Sequence, residues 1–297
     1  MKLCRILTKF FIIAIIFLPA CKTDRKNNQE TVDYDSINLD KPENVLASFD
    51  TTGEGLPIFY NMYLSVDMSS MFKTAGAVFD NDLLSKPDKS TDYITSSKKS
   101  LNLGVYAVDL SYCRVFEQFE MAGRYFNSMQ KLSEELGIPS EHFVNTAKRF
   151  DRNITDKDSL ITIANEVYST TDKYLKDNEQ YSSAAQIIMG GWVEAMHIAF
   201  NIAESSKDID IIERIAEQKH SLANLLEMLS GYKENESVKE YLKKLTALQS
   251  SFNSFDVNVD DNFDPESETG KKILAGYLIK MSELQKEINQ IRSEIIS

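Results

Sequence analysis

The stretch LNLGVYAVDLSYCRVFEQFEMAGRYFNSMQKLSEELGIP, Leu101 to Pro139, decides the fold class. Its apolar residues Val105, Val108, Tyr112, Val115, Phe119, Ala122, Phe126 and Met129 recur three or four positions apart, which stacks them on one face of an α-helix. Gly137-Ile138-Pro139 closes the run, because Gly readily leaves helical dihedrals and Pro has no N–H to continue the ladder. The spacing predicts one long helix that stops at Gly137.

Working outward, the same period returns in Val238, Tyr241, Leu245, Leu248, Phe252 and Phe255, and in Leu274, Tyr277, Met281, Leu284, Ile288, Ile291 and Ile295. The last run opens at Asp264-Pro265-Glu266, which reads as a side-chain cap, a Pro at the first helical position and an acid at the positive end of the helix dipole. Further helices are predicted at 57–84, 140–152, 157–177, 179–205 and 208–231. Strand alternation is absent apart from Val257-Asn258-Val259, which suggests extended chain. The apolar stripes are wide and aromatic, whereas a coiled coil needs only a narrow seam. The class is therefore all-α, an antiparallel bundle of seven or eight helices with short connections. Gly104 and the pair Gly190-Gly191 fall inside helical patterns, where a Gly costs about 1 kcal/mol relative to Ala. Such residues are expected where two helix backbones cross closely.

At the N-terminus, Lys2, Arg5 and Lys9 form a basic start, Phe10 to Leu18 is unbroken apolar sequence, and the run ends at Leu18-Pro19-Ala20-Cys21. Nine apolar residues are too few for a hydrocarbon core that needs about 20, so the segment reads as a cleaved signal rather than a permanent span. Leu, a spacer, a small residue and Cys resemble the lipobox of bacterial lipoproteins. The resemblance implies that Cys21 is lipidated, palmitate included, and becomes the mature N-terminus. The alternative is an ordinary secretory signal that happens to end near a Cys. Lys22 stands where an Asp would resemble an inner-membrane retention signal, which points to the outer membrane, with the domain in the periplasm or on the cell surface. The resulting organisation is 1–20 signal peptide, 21–44 lipidated Cys and polar tether, and 45–297 helical domain.

The chain carries 33 basic and 45 acidic residues. Losing the three basic residues of the signal leaves a mature net charge of −15. Such an acidic chain is a poor ligand for nucleic acid or anionic lipid head groups, so the lipid must hold it to the membrane. Removal of Cys4 and lipidation of Cys21 leave Cys113 alone, without an internal disulfide. Within an apolar helical pattern, Cys113 reads as a small core residue.

Asn102-Leu103-Gly104-Val105-Tyr106-Ala107-Val108-Asp109-Leu110-Ser111-Tyr112 and Gly190-Gly191-Trp192-Val193-Glu194-Ala195-Met196, together with the lipobox, resemble uncharacterised helical lipoproteins of Bacteroidetes-type bacteria. The resemblance implies localisation and fold, and carries no activity with it.

Three constellations bear on chemistry. Two Glu-x-x-His motifs, Glu194 with His197 and Glu217 with His220, lie on consecutive helices expected to turn near Lys207. Paired motifs of this kind, with further Glu ligands, build di-metal sites in ferritin-like bundles. The opposing reading is that Glu194, His197, Asn201 and Glu204 form a polar stripe facing water, as Glu213, Glu217, His220 and Asn224 do on the next helix. Asp256, Asn258, Asp260, Asn262 and Asp264 place oxygen ligands at alternate positions like the start of an EF-hand loop. Asp261 stands where that loop needs Gly, however, and the sequence otherwise reads as a solvated acidic loop. Beyond these weak Ca²⁺ or di-metal possibilities no cofactor is expected. Asp109 sits among Val105, Tyr106, Tyr112 and Cys113, so its carboxylate should be partly buried and need donors. It is read either as a structural acceptor or as the wall of a ligand pocket. Trp192, beside the Gly pair, is read as core or as a ligand platform.

Nothing resembles a phosphate-binding loop, a nucleophile elbow or a zinc array. The leading expectation is non-enzymatic: an envelope lipoprotein whose helical domain binds a protein partner or a small apolar ligand. The alternative is a metal-binding bundle, enzyme or storage protein, built on the Glu-x-x-His pairs.

Overall fold

The computed structural model describes residues 71–138, 148–149, 152, 174–175, 177–178, 180–259 and 263–297. The chain divides into two units, 1–48 and 49–297, and every described residue belongs to the second. Six α-helices stand out among the described residues: α1 (Ser96–Val115), α2 (Phe119–Glu135), α3 (Tyr181–Ser206), α4 (Ile209–Ser230), α5 (Glu236–Asn253) and α6 (Glu268–Ile295). They form an all-α bundle, without a strand among the described residues. None of these helices is long and apolar enough to cross a membrane.

Local chemistry sets the helix ends. Thr95, Asp208, Asn235 and Ser267 each accept a backbone N–H of the next turn on the side chain, meeting donors that would otherwise lack partners. At the far end of α6, Lys89 donates to the carbonyl of Ile296 at 2.9 Å, and Asn102 donates to that of Ile295 at 2.9 Å. Lys98 reaches the Glu294 carbonyl beside them. Cationic donors there satisfy the orphan carbonyls and oppose the negative end of the helix dipole.

The helix α3 is central. It packs against α1, α4 and α6, and α5 packs against both α4 and α6. Met189, Trp192, Val193, Met196, Ala199, Phe200 and Ala203 are all fully buried, and the Trp192 and Phe200 rings sit 6.2 and 6.4 Å from that of Phe252 on α5. A helix buried on nearly every side is the natural hub of a bundle. Ring contacts in this range add to the hydrophobic gain of burying three large side chains.

The expected close crossing is present between α1 and α3. An added Cβ on Gly104 would meet the Ile187 carbonyl oxygen at 1.9 Å, and one on Gly190 would meet that of Leu101 at 2.0 Å. Each helix thus lays a glycine against the other's backbone.

Three expectations change. The periodic run through Val105 to Met129 is not one helix. Glu117 adopts φ 60°, and the chain turns there between α1 and α2. Periodicity continues across the turn because both helices present their apolar faces to the same core. The helix expected at 57–84 is helical over 71–74, and its earlier part lies outside the described residues. Between that helical turn and α1 the chain forms a strap with two 3-10 turns, Asn81–Leu83 and Pro87–Thr91. Asp80 caps the first, and Pro87 forces Lys86 into an extended conformation before the second. Finally, α6 is capped by Ser267 rather than Asp264, which closes the preceding turn by accepting Glu266 N–H. Expectations at 140–152 and 157–177 lie almost wholly outside the described residues.

The α3–α4 connection turns at Lys207, as expected, with φ 56° and its N–H bonded to the Ala203 carbonyl. A Cβ is disfavoured in this left-handed conformation, and Lys207 is exposed. Lys207→Gly is expected to stabilise the fold by about 0.5–1 kcal/mol in urea denaturation. A lowered midpoint would show that the Lys side chain contributes something the backbone does not.

Candidate functional site

The polar groups at the centre of the bundle converge where the strap meets α1, α3 and α6. Asp109 of α1 and Glu194 of α3 are both fully buried and face one another. Arg292 of α6 grips Glu194 with two hydrogen bonds, Nε to Oε2 at 2.6 Å and an Nη to Oε1 at 2.7 Å, in a bidentate ion pair. The same guanidinium nitrogen donates to the Leu83 carbonyl at 2.9 Å. Asp109 Oδ2 accepts the Ser85 N–H at 3.2 Å and the Ser85 hydroxyl. Asp109 Oδ1 receives no donor.

Around this pair, side chains hold the strap by its carbonyls. Tyr125 of α2 donates to Ser85 O, Tyr106 of α1 to Lys86 O at 3.0 Å, and Ser128 of α2 to Pro87 O at 2.9 Å. His197 Nε2 lies 3.1 Å from Leu83 O, and its Nδ1 lies 2.6 Å from the side-chain amide oxygen of Asn289 on α6. A carbonyl only accepts, so Nε2 carries the hydrogen. Burial lowers the His197 pKa, which leaves the ring neutral and Nδ1 an acceptor. The Asn289 amide must then be turned so that its NH₂ donates to Nδ1.

Burial first, and then the Glu194 carboxylate, raises the Asp109 carboxyl well above the ordinary carboxylate range. Burial likewise raises the hydroxyls of Tyr106 and Tyr125, so both remain protonated donors. Cys113, one turn along α1 from Asp109, is buried with its thiol pushed up to about 12, which keeps it protonated and inert as a nucleophile.

The residues singled out from the sequence part company here. Glu194 and His197 enter the central cluster. Glu217 pairs instead with Arg214 of its own helix at 2.8 Å, and His220 is exposed. Among the described residues, no three His, Cys, Asp or Glu side chains gather as metal ligands would. Nor does the stripe Glu194, His197, Asn201 and Glu204 simply face water. Glu194 meets Arg292, His197 meets Asn289 and Glu204 meets Gln285, the last at 3.2 Å, forming a polar seam down the antiparallel pair of α3 and α6. Trp192 is core. In the acidic loop, Asp256 pairs with Lys219 at 2.5 Å, while the Asn258 backbone both donates to and accepts from the Tyr277 hydroxyl. Asp260 and Asn262 lie outside the described residues.

Sequence reasoning overlooked Arg292, Tyr125, Ser85 and Asn289. A signal for Arg292 was present: it falls four residues after Ile288 and three before Ile295, so a cation borders the apolar stripe and needs a buried anion. Ser85 and the Leu83 carbonyl had none, because they lie in an irregular segment without periodicity, where Leu83 acts through its carbonyl and Ser85 through its N–H, carbonyl and hydroxyl. The arrangement can store a proton between two carboxyls and fasten the strap to four helices. No family model matches the chain, and neither a curated protein nor a solved structure matches it.

Proposed function

We propose that this is a lipid-anchored protein of the bacterial envelope, held to the outer membrane through Cys21, whose helical domain binds a protein partner. The observation that carries the reading is the N-terminal sequence: a basic start, a short apolar run, and Leu18-Pro19-Ala20-Cys21 at its end. Dual acylation at such a Cys gives stable anchoring where a single chain is marginal. The acidity of the domain fits this arrangement, since it leaves the lipid as the means of attachment.

Exposed apolar side chains on the first half of α6, with Lys272 and Lys280 exposed among them, support the binding part. Ile273 is 40% and Ile279 68% exposed, and Ala275 and Gly276 between them are exposed too. An open helix face of this kind suits a protein partner better than a small apolar molecule, which favours enclosure. The central cluster adds no catalytic reading, because its ion pair and hydrogen bonds are spent on the strap and on each other.

Expressed in a bacterial host with labelled palmitate, the wild type is expected to take up label and sediment with membranes. Cys21→Ser should lose both. Label retained by Cys21→Ser, or none on the wild type, would overturn the anchor. A photo-cross-linker at Ile279 should give a defined adduct in whole cells that Ile273→Lys removes. Unchanged adducts in Ile273→Lys would count against that face as the binding surface.

A further inference from the structure

We infer that Asp109 and Glu194 hold one proton between them, and that this proton fastens the strap over residues 83–87 to the helices, making the attachment sensitive to pH. The geometry carries this in three steps. Both carboxyls are fully buried, and the cation set against them, Arg292, is committed to both oxygens of Glu194. Two carboxylates against one guanidinium would leave a net negative charge in a dry interior, which is costly; one added proton makes the cluster neutral. Asp109 Oδ1, the oxygen without a donor, belongs to the carboxyl that faces Glu194, so a proton on it turns a repulsive contact into a hydrogen bond.

Among the described residues, the groups around the Asp109–Glu194 pair come from several elements. Asp109 meets Glu194 from α3, Arg292 from α6, Tyr125 from α2, Tyr106 and Cys113 from α1 itself, and Tyr93 and Ser85 from the chain before α1, while His197 of α3 lies on the Glu194 and Arg292 side of the pair. His197 is neutral, and the tyrosines and the thiol are protonated, so Arg292 alone offsets the acids within this set. When Asp109 ionises, the cluster can relieve its charge by admitting water. The strap is the part free to yield, since side-chain contacts rather than a helical ladder hold it in place.

The raised carboxyl sets the direction with pH. Closed, Asp109 keeps its proton; opened to water, it behaves as an ordinary Asp and releases it. Attachment is therefore strongest below the ordinary carboxylate range, weakens as pH rises from there, and levels off above the raised value.

Hydrogen exchange on the full chain between pH 6 and 9, corrected for intrinsic exchange, reads the opening directly at the Ser85 amide, which donates to Asp109. In the wild type, opening should increase with pH by as much as about tenfold per unit, the limit for one proton released. In Asp109→Asn the slope should vanish, because the amide can donate to Glu194 at every pH. A flat wild-type profile, or an unchanged slope in Asp109→Asn, overturns the proposal. Should that variant fail to fold, infrared spectroscopy of the wild type decides. A buried protonated-carboxyl band at neutral pH that fades as strap exchange accelerates supports the shared proton, and its absence overturns it.

Discussion

Gly104→Ala is expected to destabilise the fold by roughly 3 kcal/mol or more, an outsized cost for one methyl group. The new Cβ would sit 1.9 Å from the Ile187 carbonyl oxygen and 2.7 Å from the Gly191 nitrogen. Both are backbone atoms of α3, so no side chain can rotate away to make room. The helices would have to separate, loosening the core around Tyr106, Tyr112 and Trp192, each buried to 1% exposure or less. Gly190→Ala should behave alike, since its Cβ would meet the Leu101 carbonyl at 2.0 Å. Gly123→Ala on α2 provides the control: its Cβ meets nothing within 4 Å, and it should gain about 0.5–1 kcal/mol from helix propensity. Urea denaturation of the three variants separates close packing from propensity. A Gly104→Ala midpoint equal to that of the wild type would mean that the helices do not cross at this distance.

Arg292→Met should cost about 3–5 kcal/mol near neutral pH, because it leaves Glu194 fully buried without a counter-charge. The double variant Glu194→Met with Arg292→Met removes both charges and should recover most of that stability, as apolar replacements of buried ion pairs often do. His197 still donates to the Leu83 carbonyl in the double variant, so the strap keeps one of its two bonds at that atom. Equal instability of the single and double variants would show that Arg292 acts through Leu83 rather than by neutralising Glu194.

The glycine crossing was legible because a mid-helix Gly is unfavourable unless something requires it, and at 104 and 190 the opposing backbone does. The turn at Glu117 was not. No Gly or Pro marks it, and hydrophobic spacing cannot distinguish one helix from two that share a core. Asp109 was legible as a carboxylate among apolar neighbours, although its partners were not. Glu194 was open to two readings, metal ligand or solvated face, and it entered a third environment. A polar stripe on an amphipathic helix identifies the side that avoids the apolar core, but it does not say whether water or another polar helix lies there. On α3 that side meets α6, whose Gln285, Asn289 and Arg292 form a matching stripe at helical spacing.

By itself, the sequence determined what depends on neighbours along the chain: helical class from apolar period, the stop at Gly137 from its glycine, acidity from composition, and the close crossing from misplaced glycines. The tertiary structure alone decided which polar groups share the interior. Asp109, Glu194 and Arg292 lie 85 to 183 positions apart in the chain. Their meeting is fixed by how their helices pack, and the strap that completes the cluster contributes, beside the Ser85 hydroxyl, backbone atoms common to every residue type.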